Sequence, residues 1–94
     1  MSLTSAQRRQ TSTDLAENLR RSGIPRGTVE TDLGWTRERF DATLAVGSDV
    51  SPVDVWALRD YLDAALREDP DEAARWTVLT DRARTAATAW FPLD

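Results

Sequence analysis

Helix stops and starts, alternating at short intervals, constrain this chain more than any other feature. Gly23 followed by Pro25, Gly34 followed by Thr36, and Gly47 followed by Ser51-Pro52 cut the first two thirds of the sequence into segments that read as helices. The first opens on Thr4-Ser5-Ala6-Gln7, a capping box whose hydroxyl and amide satisfy orphan N–H groups at a helix start. Thr11, Leu15 and Leu19 then recur at helical spacing, and Glu17 stands just ahead of Arg20 and Arg21 on the same face. Val29 and Leu33 share one face of the second segment. Thr36 caps the third, with Phe40 and Leu44 inward, Val46 a further candidate, and Gly47 as its stop. Ser51, Pro52 and Asp54 supply an N-cap, an N1 proline and a first-turn acid for the fourth. Val55, Leu58, Leu62 and Ala65 or Leu66 run down it as a stripe, and Asp63 precedes Arg67 in the favourable orientation. The spacing predicts helices over 5–22, 26–33, 37–46 and 52–68.

The last third reads less uniformly. Asp69-Pro70-Asp71-Glu72 offers caps for a fifth helix, and 82–89 is rich in Ala. Trp76-Thr77-Val78-Leu79-Thr80 and Trp90-Phe91 instead favour extended backbone, and Pro92 ends any helix. The expectation is a mainly α fold of four to five helices with a short irregular or strand-like tail. At 94 residues the chain is one domain, 1–94, with 69–94 as a C-terminal extension.

Composition removes most enzyme chemistry. Cysteine and histidine are absent, and all 12 cationic side chains are arginine. Thiolate and imidazole chemistry, zinc–thiolate sites and Schiff bases are therefore excluded, and the serines and threonines have no His or Lys to activate them. The clusters Asp60–Asp63 and Asp69–Asp71–Glu72 lack the glycine-turned loop of a calcium site, so they read as caps and ion pairs. No cofactor, metal or catalytic residue is expected. The run Val55-Trp56-Ala57-Leu58 is far too short to span a bilayer, and the residues after Met1 contain no apolar signal core. Arginine and alanine in place of lysine suit a GC-rich genome, and a bacterial cytoplasm is the expected location. The net charge of −4 disfavours indiscriminate binding to nucleic acid. The charge is uneven, however: the first 27 residues carry Arg8, Arg9, Arg20, Arg21 and Arg26 against only Asp14 and Glu17.

Two short segments separated by Gly34-Trp35-Thr36 form the layout of a helix-turn-helix unit over about 26–45. Val29 and Leu33 fill the inner face, Gly34 supplies the turn, Trp35 plugs the junction and Phe40 is the inner residue of the second helix. In spacing, residues 13–66 resemble the lambda-repressor-like, Xre-type DNA-binding domains. Glu30 departs from that pattern, which has a small residue there, and Thr43 is more polar than the pattern expects. Almost the whole chain also resembles a bacterial family known as domain of unknown function twenty-three sixteen. The residues that carry this are Ser2-Leu3-Thr4, Thr31-Asp32-Leu33-Gly34, Asp54 through Leu62, and Trp90-Phe91. That resemblance implies a helix-turn-helix-like bacterial protein and no particular activity.

A helix-turn-helix layout makes double-stranded DNA the leading expected partner, with a small homodimeric transcriptional regulator as the expected function. The candidate contacts are Arg26, Thr36, Arg37, Glu38 and Arg39. Arg37 or Arg39 can bond guanine O6 and N7, Glu38 can accept from cytosine N4, and Arg26 with Arg8 or Arg9 can hold phosphates. Glu30, Asp32 and Asp41 repel phosphate from the same neighbourhood. They favour the alternative, a helical protein–protein interaction module that has the shape but does not bind DNA. A small-ligand sensor with a Trp-lined apolar pocket is the third class, and Trp56, Tyr61, Trp76 and Trp90 otherwise read as core. An unbroken positive stripe through Arg26, Arg37 and Arg39 favours DNA; interruption of it by carboxylates favours the interaction module.

Overall fold

The computed structural model describes residues 3–67 and 74–87. Their order is α1 (Ser5–Ser22), α2 (Arg26–Leu33), α3 (Arg37–Leu44), α4 (Pro52–Leu66) and α5 (Asp81–Ala87), with no strand among the described residues. The expected caps form. Thr4 and Gln7 bond reciprocally, Gly23 and Gly34 both take a φ of 70°, and Ser51 caps α4 ahead of Pro52. Residues 76–80 are irregular rather than strand-like, while the expected caps at 69–72 and the aromatic pair Trp90-Phe91 lie outside the described residues.

Helix α4 is the central element. It packs chiefly against α1 and then against α3, burying Leu58 and Leu62 completely. Leu15, Val29 and Phe40 are also fully buried, so each of the first four helices contributes to one core. Leu33 and Leu44, expected inside, are only partly buried at its margin. The two buried threonines of this core are satisfied within their own helices. The hydroxyl of buried Thr11 donates to Gln7 O at 2.7 Å, and that of Thr43 to Arg39 O at 2.8 Å. Thr43 is thereby buried with its hydroxyl satisfied.

Two helix ends differ from expectation. Helix α4 stops at Leu66, with Arg67 as its C-cap. Helix α3 stops at Leu44 rather than 46, and the left-handed residue is Val46, at φ 51°, not Gly47. A β-branched residue there costs about 1–3 kcal/mol. The compensation is burial, since the turn places Val46 in the core at 5% exposure. From α1, the Ser12 hydroxyl donates to the terminal Leu44 carbonyl at 2.8 Å and so helps fix this end.

The segment after α4 returns to the core by side-chain contacts. Buried Asn18 donates to Arg75 O at 2.9 Å and accepts from Arg75 N at 3.1 Å, while Asp14 accepts from Thr77 N at 2.8 Å. Replacement of Leu58, at the centre of the α4 stripe, tests this core directly. Leu58→Ala should destabilise the fold by about 2–4 kcal/mol in chemical denaturation, because the site is enclosed on all sides and will not collapse fully. A loss below about 1 kcal/mol would mean that α4 presents another face to the core.

Candidate nucleic-acid interface

The turn between α2 and α3 is built from its backbone outward. The N–H of Gly34 bonds to the end of α2, Trp35 N donates to Glu30 O at 2.9 Å, and the Thr36 hydroxyl accepts from Arg39 N at 3.2 Å. With Phe40 turned inward, α3 exposes Arg37, Glu38, Arg39, Asp41 and Ala42 to solvent. The sequence therefore identifies the outer face correctly, and its five candidate contacts lie within or beside the α2–α3 unit. Glu30, the long side chain at the expected small position, is only partly buried, consistent with an aliphatic stem lying over the crossing and a solvated carboxylate.

The arginines of this face are not equivalent. Arg26 lies over the Phe40 ring, 5.2 Å from its centroid, and is ion-paired with Asp41. Arg39 forms a two-pronged pair with Asp54 at the start of α4, at 2.9 and 2.7 Å, and lies 4.9 Å from the Trp35 ring centre. The bond to Asp54 pushes the Arg39 pKa further up, so its charge is permanent. Arg37 is exposed, and no carboxylate partner stands beside it among the described residues. Thr36 has its hydroxyl committed to the cap, and Glu38 is an exposed first-turn acid. Of the two further phosphate candidates, Arg9 is exposed and Arg8 lines a cavity beside the first turn of α1.

Two interactions brace this unit against α4. One is the Arg39–Asp54 fork; the other is the Tyr61 hydroxyl, which donates to Asp32 of α2 at 2.5 Å. Sequence reading gave Asp54 only a role in the first turn of its own helix. A pairing across 15 positions leaves no periodic trace, so nothing in the sequence marked it as the partner of Arg39. The same holds for Asp32 and Tyr61.

Short helices, a three-residue turn and a helical brace together define a small all-α protein, with no group of three or more carboxylates that could hold a metal among the described residues. The chain belongs to the family described as uncharacterized protein conserved in bacteria (DUF2316), whose model matches residues 1–92. Comparison with curated proteins and with solved structures returned no match. No helix among the described residues is long and apolar enough to cross a membrane.

Tyr61 is the sole tyrosine, which makes the brace directly measurable. Burial, and then the hydrogen bond to the Asp32 carboxylate, push its pKa from 10.0 up to about 12. The folded state holds this proton more tightly than the unfolded one, so its contribution to stability is complete below pH 10 and is lost as pH rises through about 12. Ultraviolet titration should show a single phenol ionising near 12, and Asp32→Asn should lower that value without returning it to 10.0, because burial remains. Ionisation of the wild-type phenol at 10.0 would mean that the brace does not form.

Proposed function

We propose that this chain is a helical protein–protein interaction module that keeps a helix-turn-helix layout but does not read DNA. The carrying observation is the pairing of Arg26 with Asp41 and of Arg39 with Asp54. Two of the three cations that would form a positive stripe are already occupied by carboxylates of this chain. Glu30, Asp32 and Glu38 add further negative charge to the same unit, and phosphate binding depends on a net positive surface. A face of alternating charge beside half-buried Trp35 suits a folded protein surface bearing both signs.

The second reading, a small helix-turn-helix transcriptional regulator acting as a homodimer, is favoured by Arg37. It is exposed on the first turn of α3, next to the Thr36 cap, where a recognition helix places its base contacts. In that reading Arg37 contacts guanine, and Arg26 exchanges Asp41 for a phosphate. The exchange is cheap, because an exposed ion pair contributes about 0–1 kcal/mol.

Fluorescence anisotropy against a random duplex pool across a salt series separates the two. The wild-type chain should bind no tighter than about 10⁻⁴ M at low salt. Asp41→Asn combined with Asp54→Asn frees Arg26 and Arg39 and should strengthen binding about tenfold or more, with a steeper salt dependence. Wild-type binding with sequence preference, weakened by about 1–3 kcal/mol in Arg37→Ala, would overturn the interaction reading in favour of the regulator.

A further inference from the structure

A cavity of about 410 Å³ opens where four separate stretches of chain converge: the start of α1, the loop 47–52, the first turns of α4, and residues 78–87. Its walls are mainly apolar and include Leu3, Val50, Trp56, Val78 and Ala83. A volume in this range accommodates a small organic ligand, and an apolar wall with few polar groups is the usual character of such sites. The loop that closes one side follows the left-handed Val46, which immediately precedes Gly47 and Ser48 on the cavity wall. Backbone strain concentrates at ligand sites, where the surrounding structure fixes it.

Among the described residues that line this cavity, the charge has one sign. Arg8 lines it, and none of its described lining residues is acidic. Elsewhere in the chain, arginines near the core are matched to carboxylates: Arg39 to Asp54, Arg59 to Asp60 and Asp81, Arg84 to Asp60. The side chain of Arg8, which is half-buried, bonds among the described residues only to the Ser5 hydroxyl, at 3.4 Å. Arg8 also stands near the N-terminal, positive end of α1, whose first turn contains no acidic residue. A cation there is opposed by the helix dipole, and an anion beside it would be favoured by both. In a protein of net charge −4, this is a positive, apolar recess.

We propose that the cavity is a binding site for a small aromatic monocarboxylate, its ring system against Trp56, Val78 and Ala83 and its carboxylate on the Arg8 guanidinium. A charge-assisted pair of this kind, shielded on one side by apolar walls, fixes the orientation of the acid and favours it over neutral and, more strongly, cationic analogues. The site is separate from the α2–α3 face: no residue of α2 or α3 is among its described lining residues, and the proposal does not rest on what that face contacts.

Two-dimensional amide NMR of the full chain tests this with naphthoate, its neutral analogue naphthalenemethanol, and the cationic naphthylmethylammonium. Naphthoate should shift amides of residues 3–8, 47–56 and 78–87 saturably. It should bind about tenfold or more tighter than the alcohol, as expected for one charge-assisted hydrogen-bonded contact, and the ammonium should bind weakest. Arg8→Met retains most of the aliphatic stem and should remove the preference for naphthoate while leaving the alcohol unchanged. Ala83→Leu should fill the cavity and weaken both; if that variant does not fold, Arg8→Met decides alone, since among the described residues the Arg8 side chain bonds only to an exposed serine. No saturable shifts, shifts confined to other residues, or equal binding of acid and alcohol would each overturn the proposal.

Discussion

The Arg59 guanidinium, 2% exposed in the middle of α4, dictates how the described chain after α4 is arranged. A buried charge is tolerated only when its donors are bonded and its charge is matched. Here Nε donates to Leu79 O at 2.9 Å, one terminal nitrogen reaches Asp60 at 3.0 Å and the other reaches Asp81 at 2.5 Å. The rings of Trp56 and Trp76 flank it at 5.9 and 5.3 Å. Leu79, Asp81 and Trp76 all follow α4 in sequence, so satisfying Arg59 requires the chain to fold back along that helix. Asp63 reinforces the closure. Burial pushes its carboxyl pKa up, but bonds from the Trp76 indole and Arg67, together with the Arg59 charge, outweigh that and hold it below the usual range. Its contribution to stability is therefore present above the ordinary carboxylate pKa and is lost as pH falls through the lowered one.

Helix α4 thus carries two sets of polar ties on one apolar stripe. Asp54 and Tyr61 reach α3 and α2, while Arg59, Asp60 and Asp63 reach residues 76–84. The first set determines the electrostatics of the α2–α3 face, because the carboxylate that positions α3 also takes up the charge of Arg39. The second set forms one wall of the cavity beside Arg8, through Val78, Leu79 and Ala83. Pairing arginine with carboxylate within the chain is the device common to both sets.

Local signals in the sequence are legible because their physics is local. Thr4 with Gln7, Gly23, Gly34, Thr36 and Ser51-Pro52 each act within one helical turn, and α1 and α2 begin and end where those residues place them. Val46 was not legible, since Gly47 is the better intrinsic stop and only the tertiary burial of Val46 moves the left-handed turn one residue earlier. Arg59 was equally silent: on a helical wheel it is one more charge beside Leu58. The outer residues of α3 were legible as a face, but their neutralisation by Asp41 and Asp54 depends on distances between helices that no spacing rule encodes.

Amide hydrogen exchange in Arg59→Met, compared with the wild-type chain, tests the dependence on this buried guanidinium most directly. The account predicts that protection falls selectively over residues 74–87, where Leu79 O and Asp81 lose their partner, while amides of Leu15, Phe40 and Leu62 keep most of theirs. Unchanged protection over 74–87 would contradict it, as would an equal loss in every helix.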